Sequence, residues 1–319
     1  MGNGKSKFGI LKFLLGLTIL TSIGSFLYSN RKILESSEML SQKPKVFNNI
    51  ENRFVDVKRI RITVPEGAFN INRRETGWQM YERSEYPVSS EKINEFAAQI
   101  AKLEKGEIAA QSPQQFDELG VGEPMEFGFG TIIELFDAQD QLINATHIGR
   151  NGNNLFVRKL GEQEIYYAIG SLGAIESISD WLDYKVFKFK SDDIVSNSVH
   201  ITGFKEFEIK RNSANVFEID GKSNDKINNA ASAILNSKMI DVTKISRITN
   251  TPVLKEKITL KTDDEIEISV INQFSKHWLV IKNQSKNNDL IDTKTNDWAY
   301  AIDDASFTML MNYKSKLFE

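Results

Sequence analysis

The sequence predicts an α+β protein: an N-terminal transmembrane helix followed by two tandem repeats of antiparallel sheet with amphipathic helices. Three observations predict it. One is an apolar run from Phe8 to Tyr28, FGILKFLLGLTILTSIGSFLY, interrupted only by Lys12. A second is self-similarity, a pattern that sets a whole architecture. Arg61-Ile62-Thr63, followed by Phe69, Ile71 and Arg73, is answered by His200-Ile201-Thr202, followed by Phe207, Ile209 and Arg211. Lys92-Ile93-Asn94 matches Lys226-Ile227-Asn228, and Tyr167-Ala168-Ile169 matches Tyr300-Ala301-Ile302. Leu182-Asp183-Tyr184-Lys185 matches Met311-Asn312-Tyr313-Lys314. The offset drifts from about 139 to about 129 residues, as loops trimmed after a duplication would produce. The third is apolar spacing that switches between period two and period 3.6 in one order in both halves.

Those features divide the chain into an N-terminal tip and anchor (1–29), a stalk (30–54), a first repeat (55–190) and a second repeat (191–319). A helix of about 21 residues rises roughly 30 Å, the thickness of a hydrocarbon core. Lys5, Lys7 and Lys12 on its N-terminal side, against Arg31 and Lys32 beyond it, favour N-inside topology. The expected location is therefore the inner membrane, single-pass, with the C-terminal body extracytoplasmic. A cleaved signal peptide at Ser22-Ile23-Gly24 and a leader used for packing are the alternatives.

In the first repeat, Val55, Val57, Ile60, Ile62 and Val64 nearly alternate with polar residues, the pattern of a half-buried strand. Pro65-Glu66-Gly67 and Thr76-Gly77 turn the chain, and Trp78–Tyr81 forms a further strand. Ser89 or Ser90 caps a helix carrying Ile93, Phe96, Ala97, Ile100 and Leu103 on one face, with Gly106 as its close. Ser112-Pro113 starts a short turn with Phe116 and Leu119 inward. After Pro124 comes a meander, with Asn151-Gly152 as its hairpin signal, and a closing helix from Leu172 through Trp181 and Leu182. The second repeat follows suit. Its helix carries Ile227, Ala230, Ala231, Ile234 and Leu235, and a last helix starts at Asp304.

Chemistry is harder to find. With no cysteine, disulfides, thiolate metal sites and thiol nucleophiles are excluded. A formal charge of −3 and a pI near 5.8 argue against a nucleic-acid partner. His147, His200 and His277 lack the spacing of a shared metal site. Gly4-Lys5-Ser6 imitates the end of a P-loop without the preceding strand, and Gly128-Phe129-Gly130 precedes a strand instead of opening a helix, so neither offers phosphate a cradle. The densest carboxylates, Asp263-Asp264-Glu265 and Asp303-Asp304, fall at a hairpin turn and a helix start, where acidic residues serve local structure. Trp78, Trp181, Trp278 and Trp298 read as core residues, with a docking patch as the sharper alternative. No catalytic, cofactor-binding or metal-binding residue is assigned.

Trp78, Tyr86-Pro87, the amphipathic helix from Ile93 to Leu103, Phe116, Leu119-Gly120-Val121 and Pro124 resemble a bacterial domain-of-unknown-function family. The resemblance implies one N-terminal membrane helix, an internally repeated α+β body, and an auxiliary role beside gliding-motility-type ABC transporters. It implies no catalytic residues. The second half departs from the pattern, with Phe217 near the place of Trp78 and no Tyr-Pro turn. The expected function is a non-enzymatic, membrane-anchored assembly component of such a system, its partners being the lipid bilayer and a transporter permease or envelope protein. Two alternatives stand beside it. One is an envelope-polymer hydrolase using Asp263, Asp264 or Asp303, and the other is a receptor with a ligand cleft between the repeats.

Overall fold

The computed structural model describes residues 43–126, 128–284, 290–315 and 317. A short helix, α1 (Ile50–Arg53), leads into four strands joined by tight turns: β1 (Arg59–Val64), β2 (Gly67–Arg74), β3 (Gly77–Met80) and β4 (Tyr86–Pro87). Helix α2 (Ser90–Lys102) and strand β5 (Glu104–Ala110) follow. A meander of β6 (Thr131–Phe136), β7 (Leu142–Asn151), β8 (Asn154–Lys159) and β9 (Ile165–Ile169) completes the first half. The second half contains β10 (Ile194–Ile201), β11 (Phe207–Arg211), β12 (Phe217–Glu218), α3 (Asp225–Ser232) and β13 (Met239–Lys244). It ends with β14 (Pro252–Leu260), β15 (Glu265–Gln273), β16 (Lys276–Asn283), β17 (Trp298–Ile302) and α4 (Asp304–Ser315).

The first sheet has the order β4-β3-β2-β1-β6-β7-β8-β9-β5 and the second β12-β11-β10-β14-β15-β16-β17-β13. Reading β10 for β1, β14 for β6 and β13 for β5, the two orders coincide, except that β4 has no counterpart among the described residues of the second sheet. Strand pairing also fixes which residues are equivalent. Ile60 and Ile62 face Ile71 and Phe69, whereas Asn197 and Val199 face Ile209 and Phe207. The position matching Ile62 is thus Val199, two residues before the Ile201 that sequence similarity selects. Tyr300 is fully buried in the main core, whereas Tyr167 is 43% exposed. Side chains alternate across a sheet, so a one-residue offset between matched segments exchanges the two faces.

Local chemistry explains most elements. Ser89 Oγ accepts the Lys92 N–H at 3.3 Å, and Ile93, Phe96 and Ile100 bury one face of α2. The helix stops at Lys102, ahead of the expected close, because Leu103 turns extended and feeds β5. Gly106 lies inside that strand, where a Cβ would stand 2.9 Å from the Tyr167 carbonyl oxygen. The helix expected from Leu172 is reduced to a 3₁₀ turn, Ile178–Asp180. Ile175 and Trp181 are nevertheless buried, and the Trp181 indole donates to the Ile175 carbonyl at 3.0 Å. Tertiary burial there needs no helix. Val46, Phe47 and Ile50, placed by sequence in the stalk, are buried in the first core.

One main apolar cluster runs through both halves. At their junction Tyr86 meets Trp298 edge-on at 4.9 Å and Tyr300 at 6.2 Å, and its hydroxyl donates to the Asp183 carbonyl at 2.5 Å. The connecting segment pairs with the second half through Phe187 and Ile291, and Lys294 meets Asp183 at 2.6 Å.

The predicted transmembrane anchor is corrected. Among the described residues no helix is long and apolar enough to cross a membrane. The longest, α2, has 13 residues, roughly 20 Å of rise, and it is amphipathic, so it can neither span nor present an all-apolar surface. The run Phe8–Tyr28 lies outside the described residues. The fold is mostly antiparallel sheet with amphipathic helices, and the single-pass inner-membrane topology and location are withdrawn with the anchor.

Candidate functional site: a cationic, aromatic pocket at the seam

Where the halves meet, a pocket of about 210 Å³ is lined by Glu82, Arg83 and Ser84 from the first half and by Asp241, Arg247, Phe274, Lys276, Trp278 and Trp298, among others, from the second. Its floor is Asp241, on the edge strand β13. Arg83 Nε and Nη2 donate to its two carboxylate oxygens at 2.5 and 3.2 Å, and Lys276 Nζ donates to Oδ2. Asp241 Oδ1 also accepts the neighbouring Val242 N–H at 2.9 Å, capping a free donor of the sheet edge. Burial works against this charge, but the hydrogen bonds and charges of Arg83 and Lys276 outweigh it and hold Asp241 below the ordinary carboxylate range. Tyr184 stands behind the pair, its phenol pushed above its usual range by burial and then by the Asp241 charge.

The rim is built by the turn between β15 and β16. Gln273 pairs with Lys276, leaving Phe274 and Ser275 as a two-residue loop with φ of 54° and 55°. Two positive φ values match the twist of a hairpin, but that turn favours Asn and Gly, and a bulky side chain there is strained. The equivalent turn of the first sheet, between β7 and β8, has Gly152 at φ 59° where the second has Phe274. Phe274 is 67% exposed. The turn is braced from all sides. Trp278 Nε1 donates to the Gln273 carbonyl at 2.9 Å, and Gln273 Nε2 donates to the Arg247 carbonyl at 2.7 Å. Gln273 Oε1 in turn accepts the Thr249 and Asn250 N–H groups. Lys244 lies 3.8 Å from the Trp298 ring centroid. This bracing holds Arg247 beside Phe274 without occupying its guanidinium in any ion pair among the described residues.

The residues weighed from sequence lie elsewhere. Asp263 and Asp264 sit at the turn after β14, where the Thr262 hydroxyl donates to Asp264, and Asp303 caps α4 by accepting the Ser306 N–H at 2.8 Å. Those places are at opposite ends of β16, roughly 20 Å apart at the strand rise. The structure does not bring these carboxylates together. His147 is buried on β7, His200 is exposed on β10, and His277 stacks on Phe307 with centroids 3.6 Å apart. Among the described residues no three His, Asp or Glu converge as metal ligands. Trp181 is core, whereas Trp278 and Trp298, although mostly buried, line the seam pocket.

Sequence reading passed over Arg83, Asp241, Arg247, Phe274 and Lys276. Four of them are unremarkable as residue types. Phe274-Ser275 was the one available signal, because it occupies a turn between two clear strands where Asn, Asp or Gly would be expected.

Fold and site together define the class: a two-sheet, mostly antiparallel α+β protein with a small pocket at the junction of its matching sheets. The chain belongs to the family described as "Domain of unknown function (DUF4340)", which matches residues 78–258, more than half of its length. No curated protein and no solved structure matches the chain. The matched span includes Arg83 and Asp241 and ends before Phe274, so the Arg83–Asp241 ion pair lies inside it and Lys276 and the aromatic rim beyond it.

Proposed function

We propose that the protein is a non-enzymatic docking and assembly component, which engages a partner protein at the seam pocket. The observation that carries this reading is Phe274: an aromatic displayed on a strained, braced turn where the equivalent turn has glycine. Strain of this kind persists where surrounding structure imposes it and concentrates at binding sites. Aromatic side chains beside an arginine are the composition of interface hot spots. The family resemblance supplies the partner class, a permease or envelope protein of an ABC-type, gliding-motility-like transport system. A receptor cleft is the weaker reading, since about 210 Å³ falls below the usual range of small-molecule pockets.

Replacing Phe274 by Gly tests the proposal without unfolding the chain. The variant should gain about 1 kcal/mol of stability by relieving the turn, yet lose capture of the permease or envelope partner in cross-linked affinity purification. If the wild-type chain captures no such partner above background, or Phe274→Gly captures it equally, the proposal fails.

A further inference from the structure

The charges of the seam pocket do not cancel. Three cations line it against two carboxylates. Glu82 is turned away, its oxygens accepting the Asn70 backbone N–H at 2.8 Å and the Asn70 amide at 2.9 Å. Asp241 is saturated by Arg83, Lys276 and the Val242 N–H. Arg83 is spent in return, its remaining Nη1 donating to the Glu82 carbonyl at 3.1 Å. Arg247 is left at the mouth with its guanidinium outside every ion pair among the described residues, and Lys276, 38% exposed at its side chain, has donors beyond the one given to Asp241.

We infer that the seam pocket is a seat for one carboxylate, an Asp or Glu side chain presented by the docking partner and met by Arg247 and Lys276 within a collar of Phe274, Trp278 and Trp298. This rests on the docking reading above. The spare charge is about that of one cation, so a monoanion is matched. A doubly charged phosphate would meet Asp241 with excess repulsion. The volume admits one side chain. Low-dielectric aromatic walls raise the strength of the charge contact above its value on an open surface, and the Gln273 bracing means that little ordering is required when the ligand enters.

Trp278 and Trp298 line the site, so tryptophan emission of the full-length chain reports its occupancy. The probes are a blocked hexapeptide, GELEFG, its glutamine analogue GQLQFG and its phosphoserine analogue, each titrated to millimolar concentration. The expected result is a saturable emission change with GELEFG, about tenfold weaker binding of GQLQFG, and weakening by added salt. Arg247→Glu should abolish the response and Arg247→Lys should retain most of it, with thermal unfolding unchanged in both because the side chain supports no other group. Equal binding of the Glu and Gln peptides, tighter binding of the phosphopeptide, no saturable response to GELEFG, or an Arg247→Glu variant that still responds would each overturn the carboxylate seat. Partner capture separates this from the docking reading. Capture lost in Phe274→Gly but kept in Arg247→Glu leaves docking standing and removes the seat, whereas no capture by the wild type removes docking itself.

Discussion

His147 shows how one residue can lock a loop. Its ring is fully buried, with Nε2 2.9 Å from Arg158 Nη2 and 3.2 Å from Glu123 Oε1. Arg158 also donates to the Val121 carbonyl, at 2.9 and 3.1 Å, and to Glu123, and lies 4.1 Å from the Phe116 ring centroid, holding the segment 116–123 on the sheet. Close backbone contact makes that docking tight: at Gly149 a Cβ would collide with the Leu119 carbonyl oxygen. Burial, then the Arg158 charge, lowers the His147 pKa from 6.5 to about 4. The sign follows. Below about pH 6.5 the unfolded chain takes up a proton that the native ring refuses, so stability is full above that value and is lost as pH falls toward 4. The loss should be on the order of a few kcal/mol. Urea unfolding at about pH 7 and about pH 4.5 should show it, and His147→Gln should flatten the difference. An unchanged pH slope in the variant would refute this account. The sequence placed His147 on a strand, but its burial and its arginine partner depend on a loop folding back across the sheet.

At the level of elements, the second sheet buries polar and charged side chains where the first has isoleucines. Asn197 and Glu256 occupy the register positions that Ile60 and Ile133 hold in the first sheet. Glu256 and Lys314 are both fully buried and meet at 2.7 Å. Lys314 Nζ and Asn197 Nδ2 also donate to the Ala230 and Ala231 carbonyls at 3.0 and 2.8 Å. These carbonyls belong to the last turn of α3, whose end lacks intrahelical donors. The network thus ties α3 and α4 to β14. A buried pair of this kind gains little over apolar packing, yet removing one partner is expensive. Lys314→Met should therefore cost about 3–5 kcal/mol, and adding Glu256→Ile should restore stability to within about 2 kcal/mol of wild type, as measured by chemical denaturation. Equal losses in the single and double variants would contradict that reading. Sequence matching paired Lys314 with Lys185, an exposed residue, so the pattern alone carried no sign of the burial. That burial comes from α4, a 12-residue helix in a place where the first half has only a 3₁₀ turn.

The whole molecule is governed by the seam. Tyr86, from the short strand β4, which has no counterpart among the described residues of the second sheet, reaches Trp298 and Tyr300 across the junction and is fully buried there. Because one apolar cluster runs through both halves, they should unfold together. Tryptophan emission and far-ultraviolet dichroism should give coincident denaturation curves, and Tyr86→Ala should shift both by about 3–5 kcal/mol. Two separated transitions would show independent halves. The same packing forms the small seam pocket, and it sets Arg83 and Asp241 opposite each other although 158 positions separate them in the chain. Apolar periodicity, turn residues and caps were enough to locate α2, α3, α4 and most strands, because those features act between residues a few positions apart. They also marked the antiparallel, two-part plan. Face assignment in the matched segments, the loss of the expected Leu172 helix, the buried charges and the pocket were decided only by tertiary structure. Each depends on contacts between residues far apart in sequence, where burial and strand register outweigh local preference.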